Sequence, residues 1–317
     1  MHPPSVSFEQ ILRQSSRALV IGVGGGGDVV GALATARFLE FCGLRFHLGG
    51  IPWERFVYDP KPGPRSLLEI ERINRVIHPH AWTVNGHTRT LNGVRFTETE
   101  MAALYGWEVI HIDLNGGTVG AIAGLEAVLT DLGVDLLVGI DVGGDSLAYG
   151  GEPGLRSPLA DAIMLAAFVE LEKKGINTLW GVFGYGSDGE LTTEEIEHAL
   201  AKVAKAGGFL GAWALTPQVV SELTDVIEKV PTEASAIPLH CARGAWGAMN
   251  IRHDERQVKL TPLATLTFYL SPGAVFHTVA RPAQVVSGTS TLEEANDALH
   301  RIQIKSELDL ERERLKR

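Results

Sequence analysis

Short apolar runs alternate along this chain with longer segments of helical periodicity, and few folds accept that pattern. Arg17–Gly24, Leu44–Gly50, Glu108–Asp113, Asp135–Asp141, Thr178–Gly184 and Phe209–Leu215 read as buried strands. Asp28–Cys42, Thr118–Leu132, Ser157–Lys174, Thr192–Ala206 and Pro217–Lys229 read as the helices that follow them. In the first helix, Val29, Val30, Leu33, Ala36 and Leu39 fall near helical spacing. Ser157-Pro158 supplies a cap and a first-turn proline. Runs apolar on both faces need cover on both faces, so the pattern predicts an α/β fold. The expectation is Rossmann-like, a mostly parallel, doubly wound sheet. Glu69–Ile77 is expected as a further helix, and Trp82–Thr97, with its two Asn-Gly pairs, as a β-hairpin excursion. Apolar segments around Leu260–Leu270 lead to helices at Thr291–His300 and in the charged tail, residues 301–317. No linker or low-complexity tract interrupts the chain, so residues 1–317 read as one domain.

Glycine is the compositional outlier: 36 of 317 residues, about 11% against a usual ~7%. The glycines cluster at predicted strand ends, which suggests ligand loops. The formal charge of −10 argues against binding nucleic acid through its phosphates, yet leaves room for a small anion in one local pocket. Cys42 and Cys241 are too few for a disulfide framework and fit a reducing compartment. Met1–Arg17 has no apolar run of a secretion signal, and no stretch approaches the ~20 residues that span a bilayer. The chain is therefore expected to be soluble and cytoplasmic, with no membrane partner.

The first strand runs into Gly22-Val23-Gly24-Gly25-Gly26-Gly27-Asp28, which satisfies G-x-G-x-x-G in a strand–turn–helix setting. Such a loop turns backbone N–H groups and a helix N-terminus toward an anion, so Gly24, Gly25, Gly26, Gly27 and Asp28 are expected to bind ligand. The alternative is a tight turn packed closely on its helix. NAD(P) fits less well than another nucleotide. The second strand ends His47-Leu48-Gly49-Gly50, with no carboxylate for a ribose. Asp28 would repel a pyrophosphate unless a cation or hydroxyl intervened. No G-x-x-x-x-G-K-[ST] occurs, which removes a P-loop.

Further strand ends carry His111-Ile112-Asp113-Leu114-Asn115-Gly116-Gly117, Asp141-Val142-Gly143-Gly144-Asp145 and Gly184-Tyr185-Gly186-Ser187-Asp188-Gly189-Glu190. In a parallel sheet these ends share one edge, where α/β proteins bind ligands. Asp28, Asp113, Asp141, Asp145 and Asp188 are expected to converge there. Carboxylates crowded together need protons, an arginine or a hard cation such as Mg²⁺ or Mn²⁺. The alternative is that each caps its own loop. Metal ligation is assigned to Asp113, Asp141 and Asp145, and catalysis to Asp141, Asp145 and Asp188. Asn115, Gly143, Gly144, Arg243 and Arg252 join the expected ligand-binding set, the arginines as countercharge to an anionic substrate. His240-Cys241 lacks the arginine spacing of a cysteine phosphatase, because Gly247 stands there. On a strand the two would also point oppositely. Tyr185–Gly189 misses G-x-S-x-G at its first glycine.

Val20–Ala32, Gly49–Arg55, Asp141–Asp145 and Ser287–Leu299 together resemble the domain-of-unknown-function family 1152 of archaea and bacteria. The likeness runs from about Ser16 to Leu310. It implies one intact α/β protein and assigns no reaction and no catalytic residues.

The expected function is an enzyme acting on a phosphorylated metabolite or nucleotide by metal-assisted hydrolysis or group transfer. Two alternatives stand: a non-enzymatic nucleotide- or metabolite-binding protein, and an actin-like kinase whose phosphate turn is Gly143-Gly144. The charged run Glu307–Arg314 reads as a solvated helix face, with docking on a second subunit left open.

Overall fold

A computed structural model of the chain describes residues 7–316. Helix α1 (Phe8–Gln14) precedes β1 (Arg17–Gly22), which passes through the glycine loop into α2 (Asp28–Phe41) and β2 (Arg45–Gly50). An excursion follows, with β3 (Ile70–Glu71), β4 (Arg75–His78), β5 (Ala81–Val84), β6 (Arg89–Thr90) and α3 (Thr97–Tyr105). The alternation resumes with β7 (Val109–Ile112), α4 (Gly117–Leu132), β8 (Leu136–Val142), α5 (Pro158–Lys173) and β9 (Asn177–Phe183). Next come α6 (Thr193–Lys205), β10 (Phe209–Ala214), α7 (Pro217–Lys229) and α8 (Glu233–Ala242). The hairpin β11 (Gly247–Ile251) and β12 (Arg256–Leu260) leads to β13 (Leu266–Leu270). Helices α9 (Pro272–Thr278), α10 (Arg281–Val286), α11 (Leu292–Arg301) and α12 (Glu307–Leu315) close the chain.

The main sheet runs β10-β13-β9-β8-β1-β2-β7-β5-β4. From β9 to β7 every neighbouring pair is parallel, and the outer pairs on both sides are antiparallel. This is the mixed α/β architecture expected of the alternation, with a large parallel centre. Along β1, Leu19 and Ile21 enter one apolar layer and Ala18 and Val20 the other. The period of two thus divides one strand between two cores. Helix α2 fills the second layer, while α4 and α5 fill the first, so both faces are covered. The chain steps outward from β1 to β2 and β7, then crosses back to β8 and β9. Winding direction therefore reverses between β1 and β8, and a crevice opens beyond their C-terminal ends.

Three local expectations fail. Residues 69–77 form no helix: a short 3-10 turn (Leu67–Glu69) leads into β3 and β4. Ile70, Ile73, Val76 and Ile77 are β-branched, and side-chain crowding in a helix costs such residues more than pairing in a sheet. Residues 82–97 form no hairpin either. β5 inserts between β4 and β7, so the hairpin is β4–β5, while β6 pairs with β3 and Thr97 opens α3. Trp82 is wholly buried in that insertion, and its burial outweighs a local turn signal. His240 and Cys241 lie on α8 rather than on a strand. Among the described residues no helix is long and apolar enough to cross a membrane.

Candidate functional site

A cavity of about 340 Å³ lies beyond the C-terminal ends of β1, β8 and β9. Its floor is acidic. Asp28 comes from the first turn of α2, Asp161 from the first turn of α5, and Asp145 from the loop after β8. Asp188 and Glu190 follow β9, and Glu307 arrives from α12. Oxygens of Asp28, Asp141 and Asp161 lie within 4.8 Å of one another, as do those of Asp145, Asp188 and Glu190.

Some of these carboxylates are fully occupied by the protein itself. Asp141 accepts from Gly144 N (3.0 Å), from Ser146 N (3.0 Å) and from the Ser146 hydroxyl, in the manner of a loop cap. Glu307 accepts from Leu159 N (2.9 Å) and Ala160 N (2.8 Å), the otherwise orphaned first amides of α5. Glu190 takes Arg156 N (2.6 Å), Ser157 N (2.9 Å) and Arg256 Nη1 (3.0 Å). Others are left wholly or partly open. Both oxygens of Asp188 and Oδ1 of Asp161 are buried with no partner in hydrogen-bond geometry among the described residues, although the Glu190 backbone N–H lies near enough to Asp188 to lower its pKa a little. Asp28 accepts through Oδ2 from Gly24 N (3.0 Å) and Val142 N (3.3 Å), and Asp145 through Oδ2 from Ser157 Oγ (3.4 Å).

Burial, reinforced by the neighbouring carboxylates, holds Asp28, Asp145 and Asp161 well above the usual range. The same causes push Asp188 up to about 8. Burial also pushes Glu307 to about 8, against its two backbone amides.

The glycine loop is explained more by packing than by a bound anion. A Cβ on Gly27 would stand 2.1 Å from Thr232 Oγ1, and one on Gly25 2.8 Å from the Trp53 carbonyl. The Gly24 amide serves Asp28, and the Gly26 amide donates to Trp53 O (2.9 Å). The loop therefore presents a carboxylate where the sequence suggested open N–H groups.

Cations gather on the rim. Arg55 follows β2, Arg252 comes from the β11–β12 turn, and Arg256 opens β12. Helix α12 closes one wall: Glu311 accepts from Trp53 Nε1 (3.1 Å) and Gly63 N (2.9 Å). The expectation of a solvated terminal face is corrected in part: Glu307 and Glu311 point inward as cap and anchor, while Glu313 and Arg314 stay exposed.

Gly24–Gly27, Asp28, Asp145, Asp188 and Arg252 all line the cavity. Asp141 lies beneath them in the floor cluster. Gly143 and Gly144 instead back the Asp188 loop; a Cβ on Gly143 would fall 2.2 Å from Asp188 Cγ. Asp113 and Asn115 stand apart. Asp113 meets His80 Nδ1 at 3.0 Å and accepts from Asn115 N (2.9 Å) and Nδ2 (2.6 Å), capping the turn after β7. Arg243 ends α8 and donates to Thr224 Oγ1 (2.6 Å), away from the cavity. Asp161, Glu307, Arg55 and Arg256 escaped the sequence reading. For Asp161 the signal was present: an acid in the first turn of a helix that follows a glycine-rich strand end.

The DUF1152 family profile, described as a protein of unknown function, matches residues 19–315. The chain belongs to that family. The DUF1152 span contains every floor and rim residue described above, from Asp28 to Glu311. Comparison with curated proteins and with solved structures gave no match.

Proposed function

We propose that this DUF1152 protein is an enzyme acting on a small phosphorylated substrate by hydrolysis or group transfer, with a divalent cation over the acidic floor. One observation carries the reading: the Asp188 oxygens and Asp161 Oδ1 are buried, unpartnered and at the wall of a cavity. Buried carboxylates without donors are costly, and the cost persists only where something else compensates it. An all-oxygen donor set suits a hard cation, Mg²⁺ or Mn²⁺. The open oxygens fall in two groups, Asp28 with Asp161 and Asp145 with Asp188, and these are the available ligands. Such a cation would polarise a phosphoryl oxygen or lower the pKa of a bound water.

The chain's own groups then divide the work. Asp141, Glu190 and Glu307 hold the loop after β8 and the start of α5 in place. Asp145 and Asp188 border the space where a reacting water would sit. The rim arginines take the charge of the substrate. The order β7-β2-β1-β8-β9 and the reversal beside β1 support a Rossmann-like assignment. Against a dinucleotide, β2 ends in Gly49-Gly50, and the next acid, Glu54, is engaged by the Thr97 amide.

Mn²⁺ titration followed by paramagnetic resonance tests the cation, and a phosphate-ester panel with Mg²⁺ or EDTA tests the reaction. Wild type should bind Mn²⁺, Asp188→Asn should weaken it at least about tenfold, and EDTA should abolish turnover. Equal Mn²⁺ affinity in wild type and Asp188→Asn would overturn the cation site. Metal-dependent binding of esters without turnover would reassign the protein as a sensor.

A further inference from the structure

We infer that Arg55 and Arg252 form the subsite for a phosphoryl group, and that the Glu233 carboxylate fills it as an internal counter-ion until a ligand displaces it. The inference rests on the phosphorylated substrate proposed above and names the groups that would hold it.

Three segments meet at this point of the rim. The loop after β2 brings Arg55, the first turn of α8 brings Glu233, and the β11–β12 turn brings Arg252. Glu233 Oε2 stands 3.6 Å from Arg55 Nη1 and 3.5 Å from Arg252 Nε. Charge-assisted bonds normally close to about 2.7–2.9 Å. Neither Glu233 Oε2 nor Arg252 Nε has a hydrogen-bond partner among the described residues, although both atoms are buried. Among the described residues the only bond across this contact is from Arg252 N to Glu233 Oε1, at 3.2 Å. Two guanidinium groups therefore share one carboxylate that engages neither fork.

The charges do not balance. Arg55 and Arg252 bring two positive charges against one negative charge on Glu233. Arg256 does not relieve the site, because it is bound to Glu190 and to the Asp188 carbonyl (2.9 Å). Burial, then the charges of Arg55 and Arg256, lower the pKa of Arg252 by more than Glu233 and then Asp188 raise it. A phosphoryl dianion matches both the charge and the number of donors, where a carboxylate satisfies neither. The helix N-terminus of α8 favours an anion at the same place. Arg252, His253 and Asp254 have φ of 56°, 55° and 67°, three successive non-glycine residues in the left-handed region. Strain of this kind gathers where a turn must face a ligand. Through Arg256 and Glu190 the subsite adjoins the acidic floor, so a bound phosphoryl group would lie between the two.

Calorimetric titration of inorganic phosphate into the EDTA-treated full chain tests the subsite. Glu233→Gln should tighten phosphate binding about tenfold, and Arg55→Gln or Arg252→Gln should each weaken it about tenfold or more. Glu233→Asp keeps the charge and should stay near wild type, while circular dichroism confirms that each variant is folded. Phosphate affinity unchanged or weaker in Glu233→Gln would overturn the proposal, as would acetate binding as tightly as phosphate. Phenyl phosphate titrated in parallel distinguishes an ester ligand from the free ion. Mn²⁺ binding is read separately in wild type and Glu233→Gln. Loss of the Mn²⁺ signal with an intact phosphate response fails the acidic floor alone, and the reverse fails this subsite alone.

Discussion

Two sets of buried ionisable groups meet the same penalty in different ways. One borders the cavity. The other is sealed between β7 and α3, where Glu98 is 1% exposed and His111 is 0% exposed. Trp82 Nε1 donates to His111 Nδ1 at 3.1 Å, so the ring proton resides on Nε2, facing Glu98 Oε2 at 3.4 Å. Burial pushes Glu98 up to about 8 and His111 down to about 3, which leaves both neutral near pH 7. Gly50 makes the room: a Cβ there would stand 1.9 Å from Glu98 Oε1. The cavity set uses another solution. Backbone amides of α5 and its loops, with Arg256, hold Asp141, Glu190 and Glu307, while the Asp188 oxygens and Asp161 Oδ1 have no hydrogen-bond partner among the described residues. The sealed set removes charge; the cavity set supplies donors and leaves two acids exposed to a ligand. Unpartnered carboxylates thus point to function only where space adjoins them.

The difference can be broken first at a held acid. Glu307→Ala would leave the Leu159 and Ala160 amides without acceptors, at a cost of about 2–3 kcal/mol. A melting curve should fall by roughly 5 °C in a chain of this size. An unchanged curve would show that water caps α5 equally well and that α12 is not needed to hold the floor. Asp161→Asn probes an unheld acid. Its charge is disfavoured by burial and then by Asp141, so the EDTA-treated variant should gain about 1 kcal/mol in urea unfolding. Added Mn²⁺ should stabilise wild type more than the variant. A variant less stable than wild type without metal would mean that Asp161 already serves the fold.

The parallel centre of the fold was legible because each strand end repeats one signal, an apolar run, a glycine turn and a helix start. The excursion was not. Its strands are short, and Trp82 is placed by pairing with His111, a residue far along the chain. Of the site, the acids after β1, β8 and β9 were legible, since in a parallel sheet they must share an edge. Asp113 looked alike in sequence, yet β7 lies two strands from β1 and its acid caps a local turn. Glu307 was illegible for a different reason. Its helix reads as charged on every side, and only tertiary packing turns that one carboxylate onto α5. Arg55 and Arg256 likewise depend on where two loops fold over the cavity.

The smallest effect tests the sealed pair and turns on sign. Glu98 has a folded pKa raised from 4.5 to about 8, so the folded state keeps a proton that the unfolded chain releases. Its stabilising contribution is full below 4.5, declines as pH rises through that window and is gone above about 8. His111 is lowered from 6.5 to about 3, so its contribution is present above 6.5 and lost as pH falls toward 3. Between 4.5 and 6.5 the two slopes oppose each other; above 6.5 Glu98 alone of the pair acts, and Glu54, raised to about 7, and Asp188 and Glu307, raised to about 8, add the same sign, so the comparison is made against a variant at Glu98. Glu98→Gln keeps the shape and removes the titration. At pH 5 it should differ from wild type by well under about 1 kcal/mol, since a neutral acid is exchanged for a neutral amide. As pH rises to 8 the variant should overtake wild type in urea unfolding, because only wild type must give up its proton or bury a charge. Parallel curves for the two proteins from pH 5 to pH 8 would mean that Glu98 is already ionised beside a protonated His111, and that the sealed set, like the cavity set, keeps its charge.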